Sequence, residues 1–239
     1  MEQAALDFCD LIGPLTPPEL SELWLSHTFK HQRGSAADRF SALMDWDRLW
    51  ALIEAGVIPP ETCRVTYARR TVAPMFYTDE GRFNPARLAE LCDQGVSIIV
   101  VKLDGCVPAI AAACRGAAAF GMHVVHAGVI ATTGGGGAFA AHYDVVHLIV
   151  LQVEGSKRWR VYGPRVRKPT MAAATVNPPQ TAPILDVVLY AGDSLFLPAG
   201  YWHSCDNGSE RSLHITLGGG VRAGGVPGSG AGKEVARER

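Results

Sequence analysis

The chain has 239 residues, a hydrophobic fraction of 48% and a charged fraction of 19%, the balance of a globular protein with a core large enough to need no disulfide support. A formal net charge of −1 excludes whole-chain electrostatic attraction to nucleic acid or to an anionic membrane. No apolar run approaches the ~20 residues of a membrane span, and the Met1-Glu2-Gln3 opening has neither the basic nor the apolar region of a secretory signal. Cys9, Cys63, Cys92, Cys106, Cys114 and Cys205 form no Cys-x-x-Cys pair and no zinc-ribbon spacing, so they read as reduced, mostly buried thiols in a cytoplasmic protein.

Thr16-Pro17-Pro18-Glu19 is a helix start, with a capping hydroxyl, proline in the first positions and an acid in the first turn. His27 and His31 lie four apart without a companion carboxylate or thiolate and are expected on the exposed surface. Apolar periodicity predicts a second helix within 38–55, stopped by Gly56. Loose alternation predicts a strand over 63–72, and Asn84-Pro85 caps a short helix. Residues 96–101 read as a buried strand, the Ala-rich stretch 107–120 as a helix, and 124–132 as a strand. Gly134-Gly135-Gly136-Gly137 precedes no Gly-Lys-Ser/Thr and no helix, so it is read as a flexible turn rather than a phosphate loop. From there to Gly218 the pattern is short strands and turns. Helices first and strands later point to a mainly β barrel or sandwich with helices packed outside. Residues 219–239, rich in glycine and charge, are expected to be a disordered tail. The expected organisation is a helical segment over 1–35, one β domain over 36–218, and that tail.

The chemistry concentrates on His142-Tyr143-Asp144 and His203. Residues two apart on an extended chain share a face, and 138–144 is predicted to be strand. Leu195-Phe196-Leu197-Pro198-Ala199-Gly200-Tyr201-Trp202-His203 is strand, turn and strand, which can return His203 to the same mouth. Two imidazoles and a carboxylate hold non-haem Fe(II) on one face and leave the opposite face open. A bare His-x-Asp is also compatible with two solvated polar residues at a strand end. Cys205 shares the parity of His203 and is expected to pack, not to ligate.

The order of four segments narrows these alternatives. His142-Tyr143-Asp144, then Glu154-Gly155-Ser156-Lys157-Arg158-Trp159, then Gly192-Asp193 through His203, then Ser212-Leu213-His214-Ile215-Thr216 resembles the Jumonji-C branch of the cupin superfamily, with the ribosomal-oxygenase-like protein hydroxylases most similar. The resemblance is specific over about 132–218 and looser over 41–130. It implies a double-stranded β-helix (a cupin or jelly-roll fold) with N-terminal helices outside. It also implies Fe(II) on His142, Asp144 and His203, 2-oxoglutarate as co-substrate, and O₂. By the same resemblance Lys157 anchors the distal carboxylate of 2-oxoglutarate, Thr216 contacts it, and Thr132 lines the pocket. Read without the resemblance, Lys157 is an exposed turn lysine and Thr216 an ordinary strand threonine. Arg158 and Arg160 alternate with Lys157 and are read as outward. His214 is read as a satisfied inner histidine, and His147 as facing away from the metal pair.

The implied activity is a dioxygenase hydroxylating a side chain of a protein or peptide. The alternatives are the same chemistry on a small metabolite, a non-catalytic metal-binding cupin, or a cupin enzyme without 2-oxoglutarate. Lys157 and the Asp144 ligand argue against the last. One departure stands out. Relatives place Asn and Tyr about 14 and 12 positions before the first histidine, where this chain has Gly128 and Ile130. The missing polar groups must come from elsewhere, and Tyr143 is the candidate named by the sequence. Most of these relatives continue into a helical dimerisation segment and a winged-helix-like module whose pattern is not read here, so the sequence carries no expectation for oligomeric state.

Overall fold

A computed structural model of the chain describes residues 8–208 and 211–221. Two helices open it, α1 (Phe8–Ile12) and α2 (Pro17–Leu25). The second starts where the sequence places it: Thr16 and Glu19 form a reciprocal capping box that satisfies two otherwise orphaned donors. The chain then contributes a short strand, β1 (Lys30–Gln32), and helix α3 (Trp46–Glu54). This helix lies within the predicted window 38–55 and occupies its second half. The side chain of Asp45 accepts from the N–H of Arg48 and fixes the start, while Phe40, Leu43 and Met44 are buried from turns. Apolar spacing there reports burial, not helix.

Strands β2 (Cys63–Tyr67) and β3 (Arg70–Thr71) replace the single predicted strand over 63–72. Ala68 and Arg69 between them both have positive φ, as a two-residue hairpin turn requires. A small ribbon follows, β4 (Thr78–Asp79) with β5 (Arg82–Phe83), then α4 (Pro85–Asp93), β6 (Ser97–Val101) and α5 (Pro108–Ala119). The remaining strands are β7 (Met122–Thr133), β8 (His147–Glu154), β9 (Ser156–Tyr162), β10 (Leu185–Tyr190), β11 (Ser194–Leu197), β12 (Trp202–Asn207) and β13 (Arg211–Val221). Strand β13 runs three residues past Gly218; residues 222–239, the rest of the expected tail, lie outside the described residues.

Eight strands form one antiparallel sheet in the order β1-β11-β8-β13-β7-β6-β2-β3, and β10-β9-β12 form a second. The two face each other as a jelly roll. Strand β8 shows why its sequence is an unbroken apolar run. Ile149, Leu151 and Val153 pack outward with Leu213, Ile215 and Leu217 against the helices. Leu148 and Val150 pack inward with Trp159, Val161, Leu189, Leu195 and Leu197. Both faces are buried, so alternation disappears. Strand β1 extends the large sheet at its edge by pairing with β11. Among the described residues no helix is long and apolar enough to cross a membrane, and no cysteine pair is bridged. Burial pushes the Cys63 and Cys114 thiols up to about 12 and Cys92 to about 11, which leaves them unreactive near neutral pH.

Two sequence expectations about histidines change. His27 is half-buried and stacks on His147 at 5.8 Å, and His31 lies 3.3 Å from Asp193. Neither is a free surface histidine.

Candidate active site

Register decides which side chains face the interior between the sheets. Directly paired residues share a face. His203, Cys205 and Asn207 pair with Val161, Trp159 and Lys157, and these pair in turn with Leu185, Val187 and Leu189. On the large sheet, Ser212, His214 and Thr216 pair with Thr132, Ile130 and Gly128. These two sets look at one another across the barrel.

His142 and Asp144 do not lie on a regular strand, contrary to the prediction for 138–144. The chain from Gly134 to Val146 runs through a series of bends and pairs with its neighbours at single points. One of these is an antiparallel bridge between His142 and His203, with N–H to O distances of 3.0 and 2.7 Å in the two directions. The strand expected around the ligands is thus reduced to the one pair that holds two of them together. A second tie runs from the Gly200 N–H to the Asp144 carbonyl at 2.8 Å. Gly200 has φ +85, and a Cβ there would stand 2.2 Å from the Val166 carbonyl oxygen, so only glycine fits this turn.

His142, Asp144 and His203 each offer a ligand atom, and those atoms lie within 4.8 Å of one another. His203 Nε2 is 3.4 Å and His142 Nε2 4.0 Å from Asp144 Oδ2. The second nitrogens are already committed. His142 Nδ1 lies 2.9 Å from the Ala140 carbonyl, and His203 Nδ1 lies 3.0 Å from the Tyr201 carbonyl. A carbonyl only accepts, so each ring donates through Nδ1 and turns the Nε2 lone pair towards Asp144. Burial first, then the nearby His142, keeps His203 well below the usual imidazole range and therefore neutral. The indole of Trp159 stacks on His203 at 5.7 Å and fixes the ring plane. The arrangement suits a divalent transition metal held by two nitrogens and one oxygen on one side.

Deeper in the same interior lies Lys157, 2% exposed. Its Nζ donates to the Ile130 carbonyl at 3.0 Å and to His214 Nδ1 at 2.9 Å, and no carboxylate pairs with it among the described residues. Desolvation lowers the ammonium to about 8. Residue-by-residue alternation puts Arg158 and Arg160 on the outer face, as expected, paired with Asp186 and Asp206 at 2.7 Å. Thr132 is buried with its hydroxyl 3.0 Å from Ser97 Oγ, and Thr216 stands half-buried on the same face as His214. Tyr143 does not supply the missing pocket contact. It is buried, and its hydroxyl donates to the Thr170 carbonyl at 3.1 Å. Cys205 faces inward and packs against the inner apolar cluster, as expected.

Two inward groups add to the sequence reading: Trp159 was not singled out, and His214, read as a satisfied inner histidine, is inner but not satisfied. Trp159 is 3% exposed and His214 is fully buried, and among the described residues neither the Trp159 indole nitrogen nor the His214 Nε2 has a partner. Their parity with Lys157 and Thr216 was visible, but the pairing of β13 with β7 and β8, which aims His214 at Lys157, was not.

Residues 111–224 match the JmjC domain. Sequence relatives include the bifunctional lysine-specific demethylase and histidyl-hydroxylase NO66 of Drosophila pseudoobscura pseudoobscura, 33% identical over 151 residues that make 62% of this chain and 15% of that protein. Ribosomal oxygenase 1 of Gallus gallus is 45% identical over 84 residues, 33% of this chain and 14% of its own. The solved structure of Escherichia coli ycfD superposes with a TM-score of 0.57 at 17% identity, covering 87% of this chain and 53% of that one. A structure of YcfD, a ribosomal oxygenase, in complex with cobalt and 2-oxoglutarate superposes at 0.56 and 18% identity, covering 88% and 52%. The chain thus spans about half of those solved structures and a smaller share of the two sequence relatives.

Proposed function

We propose that this JmjC domain is an Fe(II)- and 2-oxoglutarate-dependent oxygenase that hydroxylates a side chain of a protein or peptide. One observation carries the reading: a ready two-histidine, one-carboxylate face and a buried ammonium without a carboxylate partner share one barrel interior. An unpaired buried cation is costly, and a guest carboxylate offsets that cost. His142, Asp144 and His203 would hold the metal, and Lys157 would hold the far carboxylate of 2-oxoglutarate. When bound, Fe(II) supplies O₂ activation: one oxygen atom enters a substrate C–H bond, the other enters succinate, and CO₂ leaves.

The chain's own part is positional. The Ala140 and Tyr201 carbonyls set which histidine nitrogens ligate. Trp159 and the inner apolar cluster exclude water between the metal face and Lys157, which strengthens both electrostatic contacts. A cleft of about 330 Å³, bordered by Thr66, Ser97 and Gly135 to Gly137, runs beside β12, which carries His203. A wall of glycine backbone suits an extended polypeptide and supports a protein or peptide substrate over a small metabolite. The named activities of the NO66 and ribosomal-oxygenase relatives support the same choice. The unbridged, raised-pKa cysteines support a reducing, cytoplasmic setting.

The test is anaerobic titration of the Fe(II)-loaded protein with 2-oxoglutarate, followed by the visible absorption band of the chelate. The expected result is a saturable band that is lost in Asp144→Ala because metal affinity falls more than about 100-fold. A wild-type protein that binds Fe(II) and forms no band would overturn the reading in favour of a metal-binding cupin without this co-substrate.

A further inference from the structure

We infer that the polypeptide substrate is basic and lies in a track that leads from the barrel to a groove between α3 and α4, where one of its arginine or lysine side chains docks. This rests on the oxygenase reading above, and names the class of its substrate and a second place where that substrate is held.

The track is three clefts that share walls. The cleft of about 330 Å³ beside β12 meets a second, of about 320 Å³, at Ala68, Gly95 and Gly135. The second meets a groove of about 420 Å³ at Cys92 and Asp93, in the last turn of α4. Trp46, Trp50 and Glu54 of α3 also line that groove. At the barrel end, Thr66 lines the first cleft. It is 3% exposed, and its hydroxyl has no partner among the described residues. A buried hydroxyl without a partner is uncommon, and a polar group of a guest chain satisfies it. Gly135, where the first two clefts meet, has no internal reason to be glycine. Its φ lies outside the left-handed range, and a Cβ there meets nothing within 4 Å. Any side chain would stand in the space the two clefts share.

Charge selects the occupant. Asp47, Glu54 and Asp93 line the groove, and among the described residues none of them is in an ion pair. Glu54 and Asp93 each close their helix, where unpaired carbonyls already carry partial negative charge, and neither helix has a basic residue in its last turn. A guest cation offsets that placement. The tryptophans suit the same guest. The Arg211 guanidinium already lies over the Trp46 ring at 5.1 Å, with Glu154 at 3.7 Å. Trp50, one turn on, donates its indole N–H to Glu54 at 3.0 Å and offers a second aromatic surface beside the unpaired acids. Arginine is the side chain that stacks on a ring and pairs with a carboxylate at once. At the barrel end Arg69 is paired with Asp206 at 2.7 Å. The unpaired charges along the track are therefore negative, which repels nucleic acid and acidic peptides.

The test is fluorescence polarisation of the full chain with labelled repeats of Gly-Arg, Gly-Ser or Gly-Glu, about twelve residues long and ~40 Å when extended. The Gly-Arg repeat is expected to bind at least about tenfold more tightly than the other two. Glu54→Gln combined with Asp93→Asn should weaken it roughly tenfold, and Trp50→Leu roughly two- to fivefold. Gly135→Leu adds a side chain where nothing stands, so Tm should stay within about 2 °C. The same substitution should weaken the Gly-Arg repeat at least about fivefold by blocking the track. Equal binding of all three repeats, or Gly-Arg binding untouched by the groove variants, overturns the groove. Binding untouched by Gly135→Leu overturns the track. A dimer in sedimentation that Trp50→Leu dissolves would make a second copy of the chain the occupant and also overturn the inference. These measurements need neither metal nor 2-oxoglutarate. A protein that docks the Gly-Arg repeat but forms no chelate band sinks the oxygenase reading alone. One that forms the band and docks no basic repeat sinks this inference alone.

Discussion

Strand β9 places cations on both of its faces, and the two faces differ in what they offer them. Outside, Arg158 makes two 2.7 Å contacts to Asp186, and Arg160 meets Asp206 at 2.7 Å, which also pairs with Arg69. Inside, one residue before Arg158, Lys157 has an imidazole and a carbonyl but, among the described residues, no acid. The outer cations are half in water, where pairing is optional and weak. The inner one is dry, where pairing would matter most, and it is the one without an anion. The placement runs against stability alone and is explained if the missing anion is a ligand.

The sharpest way to break that contrast is Lys157→Met, which keeps length and removes charge. Affinity for 2-oxoglutarate should fall by roughly 100-fold or more, while Tm stays level or rises, because an uncompensated buried charge has been replaced by an apolar isostere. A large drop in Tm would mean that Lys157 serves the fold. Ile130→Asp inverts the experiment by adding an internal carboxylate on the inward face. The expected outcome is a loss of 2-oxoglutarate binding of at least about tenfold with metal affinity retained; calorimetry on the metal-loaded protein reads both.

pH separates the two faces further. The inner ammonium, lowered to about 8 by desolvation, would be returned upward by a bound carboxylate. Affinity for 2-oxoglutarate should therefore be flat below about 7 and fall up to about tenfold per unit above about 8. Stability moves the opposite way. Unfolded Lys157 holds its proton to the ordinary 10.5, so between 8 and 10.5 the unfolded chain binds more protons and the fold gains stability as pH rises. Above about 9 the buried thiols of Cys63 and Cys114, raised to about 12, oppose this gain, so the window to measure is 8 to 9. The difference in Tm between wild type and Lys157→Met isolates the lysine. The smallest effect belongs to the outer face: Arg160→Ala should cost less than about 1 kcal/mol and leave 2-oxoglutarate affinity unchanged.

What could be read from the sequence divides along the same line. The three candidate ligands could be grouped from the sequence because an extended His-x-Asp has a fixed parity and its donor set has a chemistry, and their donor atoms lie within 4.8 Å of one another. The outward reading of Arg158 and Arg160 followed from parity too. The local structure around His142 was not legible, because the strand predicted over 138–144 is one bridge to His203, and partner choice is set by the fold. The hairpin turn at Ala68 and Arg69 was missed because neither residue carries the glycine or asparagine that marks positive φ. The free nitrogen of His214 was invisible for a different reason. It is defined by which atom Lys157 reaches across the barrel, a fact of register between β9 and β13 that no single strand contains.

The bridge that pairs His142 with His203 has a consequence for how the chain acquires an ion. Two of the three candidate ligands are fastened to each other by their own backbones, and the third is tied through Gly200. Loading then requires no loop closure and no ordering of chain. Its rate should follow the speed at which each aqueous ion sheds water, fast for Mn(II) and Fe(II) and slow for Ni(II). The domain would sample the available metals in order of their exchange kinetics, and the pool in which it is made would decide which ion it holds first.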